Sequence, residues 1–183
     1  MWVRSQPDPV TGEFLLTIDY AEDASVALTF DEGITYAMSF LEALTKAEYQ
    51  AAILNQMSDK MGQQEAMTLL MDFREATTNL LKAGPMALVP GVTIGNDKYV
   101  AFVEVSPDRG DSWTWRADEV RDHTSGVLEI AHGVALDQTY YDVLTKVVGL
   151  PEASSRHIIM DLMNHRDAPW QDPDLLRPKE ESE

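Results

Sequence analysis

A change of hydrophobic period that happens twice in the same order constrains this chain most. In Glu13-Phe-Leu-Leu-Thr-Ile-Asp19, and again in Lys98-Tyr-Val-Ala-Phe-Val-Glu104, apolar side chains alternate on a period of two, the mark of a strand with one buried face. An offset of 85 residues sets Phe14 on Tyr99, Leu16 on Ala101 and Ile18 on Val103. At an offset of 87, Asp31-Glu32 falls on Asp118-Glu119 and Leu41-Glu42 on Leu128-Glu129; at 91, Tyr49 falls on Tyr140 and Ile53 on Leu144. The drift is what loop insertions produce, and the shared order reads as an internal duplication.

Each half then reads as strands followed by helices. Trp2–Ser5 and Glu13–Tyr20 flank a turn by composition at Pro7-Asp-Pro-Val-Thr-Gly12, and Ser25–Leu28 gives a short third strand. Thr29-Phe-Asp-Glu32 fits a capping box, and Ile34, Met38, Leu41, Leu44 and Ala51 keep helical spacing toward Ser58. Gly62 breaks that helix. A second, from Gln63 to Lys82, carries Met67, Leu70, Phe73, Thr77 and Leu80 on one stripe and stops at Gly84-Pro85. The second half repeats the plan with strands at Ala87–Ile94, Tyr99–Val105 and Ser112–Trp115. Helical spacing follows over Ala117–Ala135, Asp137–Val148 and, after a corner at Gly149-Leu150-Pro151, Glu152–His165. The expected fold is α+β: two strand-strand-strand-helix-helix units, 1–84 and 85–166, related by a pseudo-twofold axis in one compact domain, with an antiparallel sheet packed on helices. Residues 167–183, rich in Pro and acid, read as a flexible tail.

Composition excludes several chemistries. With 183 residues and 44% apolar content the chain can bury a core. Zero cysteines remove disulfides, thiolate catalysis and Cys-ligated metal, and fit a reducing compartment. No apolar run reaches the roughly 20 residues of a membrane span, and no secretory signal is visible. Acids number 31 against 14 bases, a net charge of −17. Such a surface opposes direct binding to nucleic acid or anionic membrane.

Certain short segments stand out together: the opening Met-Trp-Val-Arg with Asp8-Pro-Val-Thr-Gly12, then Leu88-Val-Pro-Gly-Val92, Val127-Leu-Glu129, Leu136-Asp-Gln-Thr-Tyr-Tyr141, and Val148-Gly-Leu150 followed by Asp161-Leu162. They resemble small acidic proteins of unknown function encoded by actinobacterial phages, mycobacteriophages especially. The resemblance implies a phage origin and a place in the cytoplasm of an infected host cell. It carries over no activity, cofactor or functional residue.

Candidate sites are sparse. His157, Asp161 and His165 follow one another at four-residue steps on one helix face, a weak candidate metal set weighed against an ordinary polar face. The segment from Tyr141 to Ile158 resembles a DNA-reading helix-turn-helix, but Thr145 and Ser155 stand where apolar side chains belong, and Arg156 alone could read bases. A plain helical corner is the favoured reading. Asp108-Arg-Gly-Asp111 is read as an inter-strand turn. Trp113 and Trp115 are expected to point to opposite faces of their strand, leaving one exposed as an anchor for a partner. Trp170, with Leu175 and Leu176, could dock as a short peptide. No catalytic residue and no cofactor is assigned. The leading expectation is a non-enzymatic acidic binding protein acting on a host or phage protein, with nucleic-acid mimicry as its sharper variant. A small-ligand-binding protein or enzyme is the first alternative, using a groove where both halves converge and lined by Trp115, His123, Tyr140 and Tyr141, with Arg4, Arg116 and Arg121 as the cations for an anionic ligand. A virion or assembly component, a homo-oligomer, is the second.

Overall fold

The computed structural model describes residues 1–77, 81–96 and 98–166. It is an α+β structure with two antiparallel sheets and four α-helices among the described residues. Strands β1 (Trp2–Pro7), β2 (Phe14–Ala21) and β3 (Ala24–Leu28) form a meander, followed by α1 (Phe30–Met61) and α2 (Gln63–Thr77). Strands β4 (Leu81–Ala83), β5 (Met86–Gly95), β6 (Lys98–Pro107) and β7 (Trp113–Arg116) form a second meander, followed by α3 (Ala117–Asp142), a π-helical turn (Val143–Val147) and α4 (Glu152–Arg166). The strands therefore build two sheets rather than one layer. Two compact units divide within α3, at Val134 and Ala135.

The first meander is fixed by its central strand. Phe14, Leu16 and Ile18 of β2 are buried, and Leu16 and Ile18 sit opposite Ser5 and Val3 on one side and Leu28 and Val26 on the other. The second is fixed by β6, where Tyr99, Val103 and Val105 are buried and alternate with exposed Lys98, Val100 and Glu104. Helix α1 packs along β4, β5 and β6. It begins with the expected capping box: the Glu32 amide donates to Thr29 Oγ1 at 3.4 Å and the Thr29 amide to Glu32 Oε2 at 2.8 Å. The Thr29 amide, and then the Thr29 hydroxyl, donate to the Glu32 carboxyl and hold it below its ordinary range.

Three expectations need correcting. The second helix does not reach Lys82: Leu81–Ala83 is a strand, paired with Met86–Leu88. Gly84, at φ +55°, turns a tight hairpin there instead of ending a helix. Helix α3 runs unbroken to Asp142, so the two segments expected to meet near residue 136 are one element. The inner face of α1 is rotated from the expected stripe. Leu44 and Ala51 of that stripe are buried, but with Tyr36, Phe40, Ala47 and Leu54, whereas Met38 is 56% exposed and Ile34 and Leu41 only half-buried. Small residues explain the choice, because Gly33, Ala37, Ala43, Ala47 and Ala51 on that face let the helix backbone approach closely. A Cβ added at Gly33 would stand 3.5 Å from Ala131 of α3.

At the far end of α1, Ala51 and Leu54 meet Ala66 and Tyr99 in a compact cluster, with Met57 and Met67 packed against it. Tyr99 is the pin of this end, its hydroxyl donating to the Gln63 carbonyl at 3.0 Å where α2 begins.

Candidate functional site

Two places gather chemistry in the unit formed by residues 1–134. The first is a groove of about 540 Å³ between α1, β6 and the start of α3, lined by Glu48, Asn55, Val100, Arg116 and Asp118 over a floor of Ala51, Ala52 and Ala101. Glu48 and Asn55 come from the first half of the chain, Arg116 and Asp118 from the second. Asn55 is fully engaged: its Nδ2 donates to the Tyr99 carbonyl at 2.9 Å, and the Tyr99 amide donates back to Oδ1 at 2.8 Å. The side chain thus acts as a strand partner for β6 at a residue that β7, paired only with Phe102–Val105, does not cover. Arg116 lies beside Asp118 and Glu119, whose carboxylate accepts from the Arg116 amide at 2.7 Å, and Arg121 pairs with Glu48 at the rim. The guanidinium groups here are spent on carboxylates. An anion entering the groove would have to displace them.

The second place is a buried cluster around His123. Its ring lies tilted against Trp115 at 4.7 Å between centroids and meets Phe40 at 5.3 Å and Tyr36 at 5.8 Å edge to face. Tyr36, only 2% exposed, places its hydroxyl 3.2 Å from His123 Nε2, 3.4 Å from Met86 Sδ and 3.5 Å from Met1 Sδ. Burial, and then the positive N-terminal ammonium, hold the imidazole down at about 4. Burial pushes the Tyr36 phenol well above its ordinary value. At neutral pH both groups are uncharged, so the cluster joins two elements by neutral hydrogen bonds.

Of the four residues expected to line a pocket, Trp115 and His123 do meet, in a packed cluster and not in the groove. Tyr140 and Tyr141 belong to the second unit. The groove carries Arg116 of the three expected cations, with Arg121 at its rim; Arg4 pairs instead with Asp19 across β1 and β2. Trp113 and Trp115 point to the same face, contrary to expectation: both are half-buried, with ring centroids 6.2 Å apart. Residues two apart on a strand share a face, and it is Thr114 and Arg116 that are exposed on the other. His157 Nε2 lies 3.5 Å from Asp161 Oδ2, with both side chains open to solvent. The His165 side chain and Trp170 lie outside the described residues. Among the described residues no three His, Asp or Glu side chains gather to hold a metal ion, and no helix is long and apolar enough to cross a membrane. The corner before α4 turns on Gly149 at φ +78°. Arg156 beyond it is half-buried with its Nε enclosed. In the turn at Asp108–Asp111, Asp108 accepts from the Tyr20 hydroxyl at 2.9 Å.

Asn55, Tyr36 and Met86 were not legible as site residues. Nothing in a single sequence distinguishes an Asn that bonds a strand from one that faces water. Tyr36 and Phe40 do carry a signal: a four-residue step of aromatics about half a turn round the helix from the Ile34–Met38 stripe. Comparisons with protein-family models, with curated proteins and with solved structures find no match to this chain.

Proposed function

We propose that this chain is a non-enzymatic acidic binding protein, encoded by a phage, that acts on a host or phage protein in the cytoplasm of an infected cell. The observation that carries this reading is the outer face of α3. Asp118, Asp122 and Glu129 are exposed there at steps of four and seven residues, within about 40° of one line along the helix. Arg121 is engaged with Glu48, and Arg116 with Asp118 and Glu119, so Asp122 and Glu129 carry most of the row's outward negative charge. Carboxylates stepped along a rigid helix suit a basic surface on a partner, and in the sharper form of the reading a surface built for nucleic acid. The phage origin rests on the resemblance of the short segments quoted above. The two strand-strand-strand-helix runs, with Phe14 and Tyr99 both buried and Ile18 and Val103 both buried, support an internal duplication.

A tagged pull-down from actinobacterial lysate, with nuclease present, tests the function. A stoichiometric host protein that is captured at low salt, shed at moderate salt and lost in the triple variant Asp118→Lys, Asp122→Lys, Glu129→Lys is the expected result. No partner at either salt overturns it, as does a partner held equally by the triple variant.

The groove favours a second reading, a small-ligand-binding protein. Its size is in the range of ligand pockets, its floor is apolar, and both halves of the chain line it. Its charged rim, Glu48 and Asp118 with Arg116, suits a compound carrying both an amine and an apolar body. Ligand-detected NMR against a library of amines and nucleotides checks this: signals lost in Ala52→Trp would support it, and no binder among the amines would end it.

A further inference from the structure

Within the second unit, residues 135–166 bury two large apolar side chains, Ile159 and Met163, and expose eight. Four of the eight form one stripe. Leu136, Tyr140 and Val143 lie within about 60° of one another round the helix, and Val147, one turn further on, is 78% exposed. Their spacing of four, three and four residues is the seam along which one helix lies against another. The end of the stripe is held in place by the π turn. There the Val148 amide donates to the Val143 carbonyl at 3.0 Å, and Thr145 Oγ1 to the Tyr141 carbonyl at 2.8 Å. A surface fixed in this way loses little conformational freedom on docking. Charge says what can approach it. Residues 1–134 hold 21 acids and nine bases, whereas residues 135–166 hold four acids and three bases. Lys146, beside the stripe, is paired with Asp142 at 2.8 Å. In a chain of net charge −17, this is the segment at which a second copy meets least repulsion.

We propose that a second copy of this chain covers the stripe, the two helices meeting antiparallel about a twofold axis that passes between Tyr140 and Val143. A twofold contact needs a surface complementary to itself, and this one is. Antiparallel pairing sets Tyr140 opposite Val143 and Leu136 opposite Val147, a larger side chain against a smaller one each time. Parallel pairing would set Tyr140 on Tyr140 and Val143 on Val143, crowding one level of the contact and underfilling the next. No charged side chain lies within the stripe, so closing it strands no ion away from water. The stripe is about 16 Å long, which makes a contact of modest area and a dimer that exchanges with its monomer. It shares no residue with the groove or with the acidic row of α3, and it does not depend on either reading of the function.

The test is analytical ultracentrifugation of the full chain from about 5 to about 200 µM, at about 50 and about 300 mM sodium chloride. A monomer–dimer equilibrium with Kd in the micromolar range is expected, tighter at the higher salt because screening weakens the repulsion between two acidic chains. Salt acts in the opposite sense on the capture of a basic partner, so the two readings fail separately. Tyr140→Glu should weaken the dimer by about 10-fold or more, while Met38→Glu, at a site equally exposed in α1, leaves it unchanged. Far-UV circular dichroism of each variant shows that the fold persists. The chain has no cysteine, so introduced thiols report the orientation. In an equimolar mixture of Leu136→Cys and Val147→Cys, a short bismaleimide should join unlike chains. A monomer throughout would overturn the proposal and leave the stripe to residues 167–183 or to a different protein. A dimer that Tyr140→Glu does not weaken, or that Met38→Glu weakens as much, would overturn it too. Cross-links between like chains alone, or none, would overturn the antiparallel pairing.

Discussion

His123 shows how a single side chain can set a pH dependence that its neighbours in sequence do not announce. Tyr36 of α1, Trp115 of β7 and the N-terminal ammonium face it, and its proton affinity is held at about 4 against an ordinary 6.5. The unfolded chain therefore takes up a proton near pH 6.5 that the folded chain refuses until about 4. Stability is full above 6.5 and falls as pH drops through that window, by up to about 3 kcal/mol. Urea unfolding at pH 7 and pH 5 should show the decline, and His123→Gln should flatten it; equal slopes in both proteins would remove His123 as the cause. Gly91 makes a second case. A Cβ there would lie 2.2 Å from the Phe102 ring, which covers it from the paired position on β6. Gly91→Ala must push that ring aside, and we expect about 1–3 kcal/mol of destabilisation, read as a lower denaturation midpoint, with Phe102→Leu in the same chain restoring part of it. Neither effect was legible in the sequence. Gly91 reads like any glycine in a strand, and His123, though singled out as a candidate lining residue, shows nothing of its burial in the sequence.

Elements were more legible than the residues within them, for a physical reason. The start of α1 depends on groups within three positions of one another, so Thr29-Phe-Asp-Glu32 could be read directly. Thr29→Ala removes the cap and should cost about 1 kcal/mol, measurable by thermal unfolding, with Thr29→Ser retaining most of the stability. The face that α1 buries is decided elsewhere. Ile34, Met38 and Leu41 satisfy helical spacing as well as Tyr36, Phe40 and Leu44 do, and only the fit of small residues against β4, β5 and β6 chooses between them. Strand β4 was missed likewise, because Leu81–Ala83 has no period of its own and becomes a strand only by pairing with Met86–Leu88. Asn55 joins α1 to β6 in the same non-local way. Asn55→Leu leaves the amide and carbonyl of Tyr99 without their partner, and a loss of about 1–3 kcal/mol is expected. Faster exchange of the Tyr99 amide would confirm that the loss lies at this contact.

Over the whole molecule, charge is the dominant physical fact. A net charge of −17, with Arg4, Lys46, Arg116, Arg121 and Lys146 already paired to carboxylates, repels itself when the chain is compact. Stability should therefore rise between about 20 and 300 mM sodium chloride as screening shortens the reach of that repulsion; a midpoint that falls with salt would mean that the ion pairs outweigh it. The sign and size of the charge, the lack of cysteine, the α+β class and the capping box of α1 followed from the sequence alone. Each depends on composition or on groups close together along the chain. The tertiary structure decided which face of α1 turns inward, that the strands divide into two sheets, and that Trp113 and Trp115 share a side. It also decided that Tyr36, Met86 and His123 converge, with Met1, on one hydroxyl. Those outcomes depend on contacts between residues tens of positions apart, where volume and hydrogen-bond geometry choose among arrangements that a one-dimensional pattern leaves equivalent.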